Sequence, residues 1–162
     1  MDELHENEQY FFSDETLKFF GDLVDRYASP CLLCAPTLGV EMHKRKKKAR
    51  VLDVDTRFSF LPGFTRWDIW RPEKLEETFD FILVDPPFSI VGLDQLFKAI
   101  RMLAKNNFQM PLVITNHQAR VFDVESVFGP FGVRLTDYKP TYRTATTRCV
   151  AFSNIGLTGE TK

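Results

Sequence analysis

Four short apolar runs, residues 31–35, 51–54, 81–84 and 111–115, constrain this chain more than any other feature. Each has the length of a strand and is apolar at successive positions, so both of its faces must be covered, as in a parallel sheet between helices. The stretches around them supply those helices. Ser13, Asp14 and Glu15 place a hydroxyl cap and two carboxylates at a positive helix end, and Leu17, Phe20, Leu23, Val24 and Tyr27 then recur at helical spacing until Ser29-Pro30. Leu93, Leu96, Phe97, Ile100 and Leu103 form the clearest stripe, ending at Asn106-Asn107, and residues 124–128 predict a short helix closed by Gly129-Pro130. The tail differs: residues 133–139 and 146–153 alternate polar and apolar side chains around a short polar connection, which predicts an antiparallel hairpin. Strands alternating with helices and closed by a hairpin make an open, mostly parallel α/β sheet. Without repeats, low-complexity segments or linkers, residues 1–162 read as one domain, and sixteen Phe and two Trp suffice to fill its core.

Several functions are excluded early. No apolar run approaches the ~20 residues of a membrane span, and the acidic first residues lack the apolar stretch of a secretory signal. The expectation is an intracellular, cytoplasmic protein, with the nucleus left open and no membrane partner. Net charge is −1, but it is unevenly spread: residues 1–28 carry eight acidic and two basic side chains. Lys44, Arg45, Lys46, Lys47, Lys48 and Arg50 make up six of the 21 Lys and Arg. Such a run fits either a polyanionic partner or a solvated helix end. Cys31 and Cys34 form a C-x-x-C, yet three apart in a strand they should face opposite sides of the sheet and act as structural thiols. His43 and His117 lack a second ligand-type residue at useful spacing, and no metal is expected.

Chemistry concentrates after the run at 81–84. In open α/β sheets ligands sit beyond the carboxyl ends of strands, and here that end delivers Asp85, Pro86, Pro87 and Phe88. Two prolines remove two N–H donors and fix two φ angles. What remains is a carboxylate, carbonyl oxygens and an aromatic face, an acceptor-rich clamp for an –NH2 group. Asp85 and the Pro86 carbonyl can each accept one amino hydrogen while Phe88 supports a planar ring or an amine stem. The plainer reading is a rigid turn with Asp85 capping a helix.

The tetrapeptide resembles the D/N-P-P-Y/F/W motif of Rossmann-like, S-adenosylmethionine-dependent N-methyltransferases. The wider pattern comprises Gln9-Tyr10-Phe11-Phe12-Ser13 with Thr16, Cys34-Ala35-Pro36-Thr37, Leu52-Asp53-Val54-Asp55 with Arg57-Phe58, and Phe79-Asp80. This order is similar to the family of probable N6-adenine methyltransferases. That family includes elongation-factor-1A lysine methyltransferases and, more distantly, a zinc-knuckle ribosomal-RNA adenine methyltransferase. The stretch Cys149-Val150-Ala151-Phe152-Ser153-Asn154-Ile155 resembles the closing strand of its RNA-modifying branch; no zinc knuckle is present.

The resemblance implies S-adenosylmethionine as cofactor. Its loop would be Ala35, Pro36, Thr37 and Leu38, where no G-x-G-x-x-G stands; that gap argues against a dinucleotide pyrophosphate but not against a phosphate-free cofactor. A carboxylate ending the second strand suits the ribose hydroxyls, so Asp53 and Asp55 both qualify, with Asp55 favoured as the strand end. Asp68 is placed to accept from the adenine amino group while Trp67 and Ile69 sandwich the ring. Tyr10 and Phe11 are expected to close over the site, as the resemblance suggests. The acceptor expected first is adenine N6 in nucleic acid, RNA before DNA, with the basic run on phosphates. A protein lysine is the alternative, and a non-catalytic scaffold subunit the second. Lacking a separate recognition domain, the chain would rely on a partner subunit or a preassembled substrate.

Overall fold

The computed structural model describes residues 1–158. Helix α1 (Asp14–Val24) starts where expected: Ser13 Oγ accepts from the Thr16 N–H, and Leu17, Phe20, Leu23 and Val24 are buried. The Asp80 carboxylate accepts from the N–H groups of Ala28 and Ser29, which turns the chain into β1 (Pro30–Leu33). The remaining elements are α2 (Pro36–Lys44), β2 (Arg50–Asp53), β3 (Phe64–Arg66), β4 (Phe81–Val84), α3 (Leu93–Leu103), β5 (Leu112–His117), α4 (Val121–Val127), β6 (Arg134–Leu135) and β7 (Cys149–Ser153).

The strands form one seven-stranded sheet in the order β3-β2-β1-β4-β5-β7-β6. β1 to β5 are parallel, whereas β7 runs antiparallel to both β5 and β6. Successive strand residues feed opposite layers, as period-two geometry requires. Phe81 and Leu83 pack with Phe20, Leu23, Leu38 and Met42 of α1 and α2, while Ile82 and Val84 pack with Leu96, Ile100 and Val124 of α3 and α4. The chain leaves β1 toward β2 and returns to β4 on its other side. That reversal opens a cleft at the carboxyl ends of β1 and β4, where ligands of such sheets bind.

Four local expectations are corrected. β3 was not foreseen, because it is a three-residue, partly exposed edge strand. It can approach β2 closely only because residue 63 is glycine; a Cβ there would lie 1.9 Å from the Ala49 carbonyl oxygen. The segment at 35–38 is not a loop but the start of α2, with Ala35 as N-cap and Pro36 in the first turn. Cys34 lies beyond the strand with φ 59°, and this left-handed turn puts it on the same layer as Cys31 rather than the opposite one. The tail strands pair antiparallel as expected, but β6 has only two residues and the connection between them, 136–148, is long. Among the described residues no helix is long and apolar enough to cross a membrane.

Candidate active site

At the carboxyl ends of β1, β2 and β4 lies a cavity of about 130 Å3. Its walls include Ala35, Pro36 and Thr37 from the start of α2, Asp53 and Asp55 after β2, and Asp85, Pro86, Pro87 and Phe88 after β4. Residues 7–12 roof it, Tyr10 and Phe11 among them, together with Tyr142, Thr147 and Cys149. Most of the sequence-predicted site therefore converges on one space.

Asp85 continues the pairing of β4, its N–H donating to the Leu33 carbonyl, before the two prolines end the ladder. Its Oδ1 accepts from the Thr115 hydroxyl of β5 and from the Tyr142 hydroxyl, the latter at 2.8 Å. Among the described residues no donor meets Oδ2. Burial, opposed by these two hydrogen bonds and reinforced by the nearby charges of Glu8 and Asp53, raises the Asp85 carboxyl to about 7. The Pro87 carbonyl is consumed by the N–H groups of Ile90 and Val91, whereas the Pro86 carbonyl accepts none among the described residues. Two acceptors thus remain, Asp85 Oδ2 and Pro86 O. Phe88 sits beside them with its ring 6.2 Å from that of His117, whose Nδ1 accepts from the Ala119 N–H and so caps a short turn.

The second carboxylate pair is differently balanced. Asp53, not Asp55, ends β2; it is buried, accepts from the Asp55 N–H and is raised by burial to about 6. Asp55 caps the following turn. Arg57 clamps its carboxylate, with a 2.7 Å contact from Nη2, and Gln9 Nε2 donates at 2.8 Å. These bonds hold Asp55 below its usual carboxylate range.

The roof is pinned along its length. The Ser89 N–H and hydroxyl donate to Glu8, the Arg143 N–H donates to the Phe11 carbonyl, and the Ser13 N–H donates to the Thr141 carbonyl. Phe11 is buried edge-on against Phe58, and Tyr10 stacks on His5.

Three groups of predicted residues fall elsewhere. Trp67 and Ile69 do not sandwich a ring: both are buried in the α3–α4 layer, and the Trp67 indole N–H donates to the Glu73 carbonyl. Asp68 does not line the cavity, although its charge reaches Cys34; its Oδ1 accepts from the Trp70 N–H. Leu38 is fully buried against the sheet. The basic run lies at the amino end of β2, across the sheet from the cavity. There Arg45 is held by Glu41, Asp22 and Asp25, and Arg50 by Glu77, Thr65 and the Gly63 carbonyl. Both are structural cations. Lys46, Lys47 and Lys48 instead line a separate cavity of about 700 Å3 with His43.

Sequence reasoning missed Thr115, Tyr142, Gln9 and Glu8. Thr115 has a signal, since it is the polar residue that ends the apolar run at 111–115, at the same end of the sheet as Asp85. Tyr142 had none.

A family model described as "Probable N6-adenine methyltransferase" matches residues 3–156. The chain belongs to this family. It is an S-adenosylmethionine-dependent methyltransferase. Solved methyltransferases share its fold. A TehB-like S-adenosylmethionine-dependent methyltransferase from Corynebacterium glutamicum has 16% identity and TM-score 0.60, with 85% of each chain covered. Magnesium protoporphyrin IX methyltransferase from Synechocystis, solved with S-adenosylmethionine bound, has 12% identity and TM-score 0.60, covering 86% of this chain and 78% of that one. A proposed RNA methyltransferase from Pyrococcus horikoshii has 18% identity and TM-score 0.55, covering 94% and 90%. A search of curated protein sequences gave no match.

The donor set fits the methyltransferase cofactor. The first turn of α2 offers N–H groups with no partner inside the helix, suited to a carboxylate, whereas both oxygens of Asp55 are taken by Arg57 and Gln9, so it would accept from ribose hydroxyls only where Gln9 releases it. The cavity is smaller than the roughly 300–1,000 Å3 of small-molecule sites.

Proposed function

We propose that this methyltransferase acts on N6 of adenine in RNA. The observation that carries the reading is the pair of unused acceptors, Asp85 Oδ2 and Pro86 O, in the same cavity wall as the Phe88 ring. An exocyclic amine has two hydrogens for two acceptors, and its ring has a face for Phe88. Accepting both hydrogens draws the nitrogen toward tetrahedral geometry and aims its lone pair. S-adenosylmethionine supplies an electrophilic methyl group when bound. Once the nitrogen is cationic, Asp85 can take its proton, because a carboxyl near 7 is matched to neutral pH.

The first turn of α2 would hold the cofactor carboxylate and Asp55 its ribose, with Gln9 giving way. The family description supports adenine, and a flipped base stacked on an aromatic ring is the usual way to present such an amine. RNA is favoured over protein lysine by Arg143 and Arg148, exposed near the roof, which repel a lysine-rich peptide there, and by Lys46, Lys47 and Lys48 for a polyanion long enough to reach the other end of the sheet. The test is transfer of radiolabelled methyl groups to fractionated cell RNA and protein. Label removed by nuclease supports the reading. Label that survives nuclease and vanishes with protease promotes lysine, and no transfer with no cofactor binding promotes the scaffold.

A further inference from the structure

We propose that Tyr142 and Thr115 are positioning residues that hold Oδ1 of Asp85 and thereby turn Oδ2 toward the acceptor amine. This rests on the amine-clamp reading of Asp85. Thr115 reaches the carboxylate from the neighbouring strand, and Tyr142 reaches the same oxygen from the roof at 2.8 Å. Two donors arriving from separate elements fix the plane of the carboxyl, which one contact would leave free to rotate. Tyr142 is itself held: its ring lies 5.4 Å from that of buried Phe12, and the two residues bridge through their backbones. The hydroxyl is therefore delivered by packing.

The choice of neutral donors matters. A lysine or arginine at this place would keep Asp85 firmly ionised and compete with the substrate for its lone pairs. Hydroxyls orient the carboxylate without adding charge. The other titratable groups facing Asp85 are the Cys34 thiol after β1, which burial and the Asp53 and Asp85 carboxylates push well above its usual value and so keep neutral, and Glu8 from the roof and Asp53 from β2, both acidic, with Cys149 of β7 against Tyr142. Burial and these two acids oppose ionisation, and the two hydroxyls favour it. Burial and the same carboxylate push the Tyr142 phenol well above its usual range, so it stays a proton donor throughout the working pH.

Tyr142→Phe and Thr115→Val remove one hydroxyl each and keep the packing. Each is expected to raise the midpoint of the acid limb of kcat by about one pH unit, the scale of one hydrogen bond to a charged group. At pH 7 that lowers kcat about fivefold with the cofactor KM unchanged, and at pH 9 activity recovers. In an Asp85→Asn background, Tyr142→Phe should no longer move the profile. Carbon-13 NMR titration of the Asp85 carboxyl reads the same shift without turnover. A Tyr142→Phe carboxyl titrating at the wild-type pH overturns the positioning role whatever the substrate. A shifted carboxyl in a protein that methylates neither RNA nor protein leaves the positioning intact and refutes the amine clamp.

Discussion

Asp85→Asn should make the protein more stable while making it a poorer enzyme. The folded state holds this carboxyl at about 7 against an ordinary value of 3.8, chiefly through burial. The unfolded chain ionises freely above 3.8, whereas the folded chain resists until about 7. Stability is therefore lost progressively between those two values as pH rises, and is flat beyond them. The difference of about 3 units is worth roughly 4 kcal/mol at pH 8, and only about 1.5 kcal/mol has been lost by pH 5. Asparagine has no proton to lose, so it escapes this cost. It also fits, because the Thr115 and Tyr142 hydroxyls can turn to accept from its amide N–H and leave its oxygen facing the amine. Urea denaturation of both proteins at pH 5 and pH 8 should show the variant's advantage growing by about 2–3 kcal/mol between them, or roughly 5–10 °C in Tm. Methyl transfer by the variant should lose its acid limb. An advantage that is absent at pH 8, or equal at both pH values, would refute the claim that Asp85 is held ionised against its surroundings.

Three further outcomes are expected. S-adenosylmethionine at 100 times its Kd should add about 2.7 kcal/mol of stability, seen as a thermal shift, and Asp55→Ala should remove most of it; no shift at millimolar ligand favours the scaffold. Phe88→Ala should cost roughly 1–3 kcal/mol of substrate stacking, read as a change in kcat/KM for RNA without a change in cofactor Kd. Replacing Lys44, Lys46, Lys47 and Lys48 together by glutamine should flatten the slope of log affinity against log salt by about 3, read by RNA titration at several salt concentrations; an unchanged slope returns the run to a solvated surface.

What could be read from the sequence was what local chemistry determines. β4 and α3 fall where the pattern put them, the first bounded by Asp80 and Asp85-Pro86, the second an uninterrupted apolar stripe. The start of α2 resembles a loop in the sequence because Pro36 and Gly39 are loop-type residues. Proline is in fact favoured in a first helical turn, and Gly39 is needed because a Cβ there would lie 2.6 Å from Val51. Trp67 flanking Asp68 suggested ring stacking, but its side chain is drawn into the core. The basic run looks uniform in the sequence because its compensation is mostly distant: Asp22 lies on α1, Asp25 caps its end, and Glu77 precedes β4. Tyr142 could not be found at all, since its contact spans 57 positions and depends on how the long tail connection crosses the roof.

The two ends of the sheet place a condition on the proposed RNA acceptor. β1, β2 and β4 have four residues each, so roughly 13 Å of strand separates their amino and carboxyl ends before any loop is added. Asp85 stands at one end and Lys46, Lys47 and Lys48 at the other. If the acceptor is RNA, a single flipped nucleotide and its immediate phosphates would meet the roof and Phe88 and would stand too far from those lysines to meet them as well. A ligand reaches both only where its backbone continues around an edge of the domain, as a longer or folded RNA can and an oligonucleotide of about two or three residues cannot. The salt slope should then separate two ligands of equal sequence at the methylated base. A short oligonucleotide would lose nothing when the four lysines are neutralised, while a structured RNA would lose the full difference. If both respond alike, the phosphates near the acceptor must pass over the amino end of the sheet, and the path drawn from Asp85 to the roof is wrong.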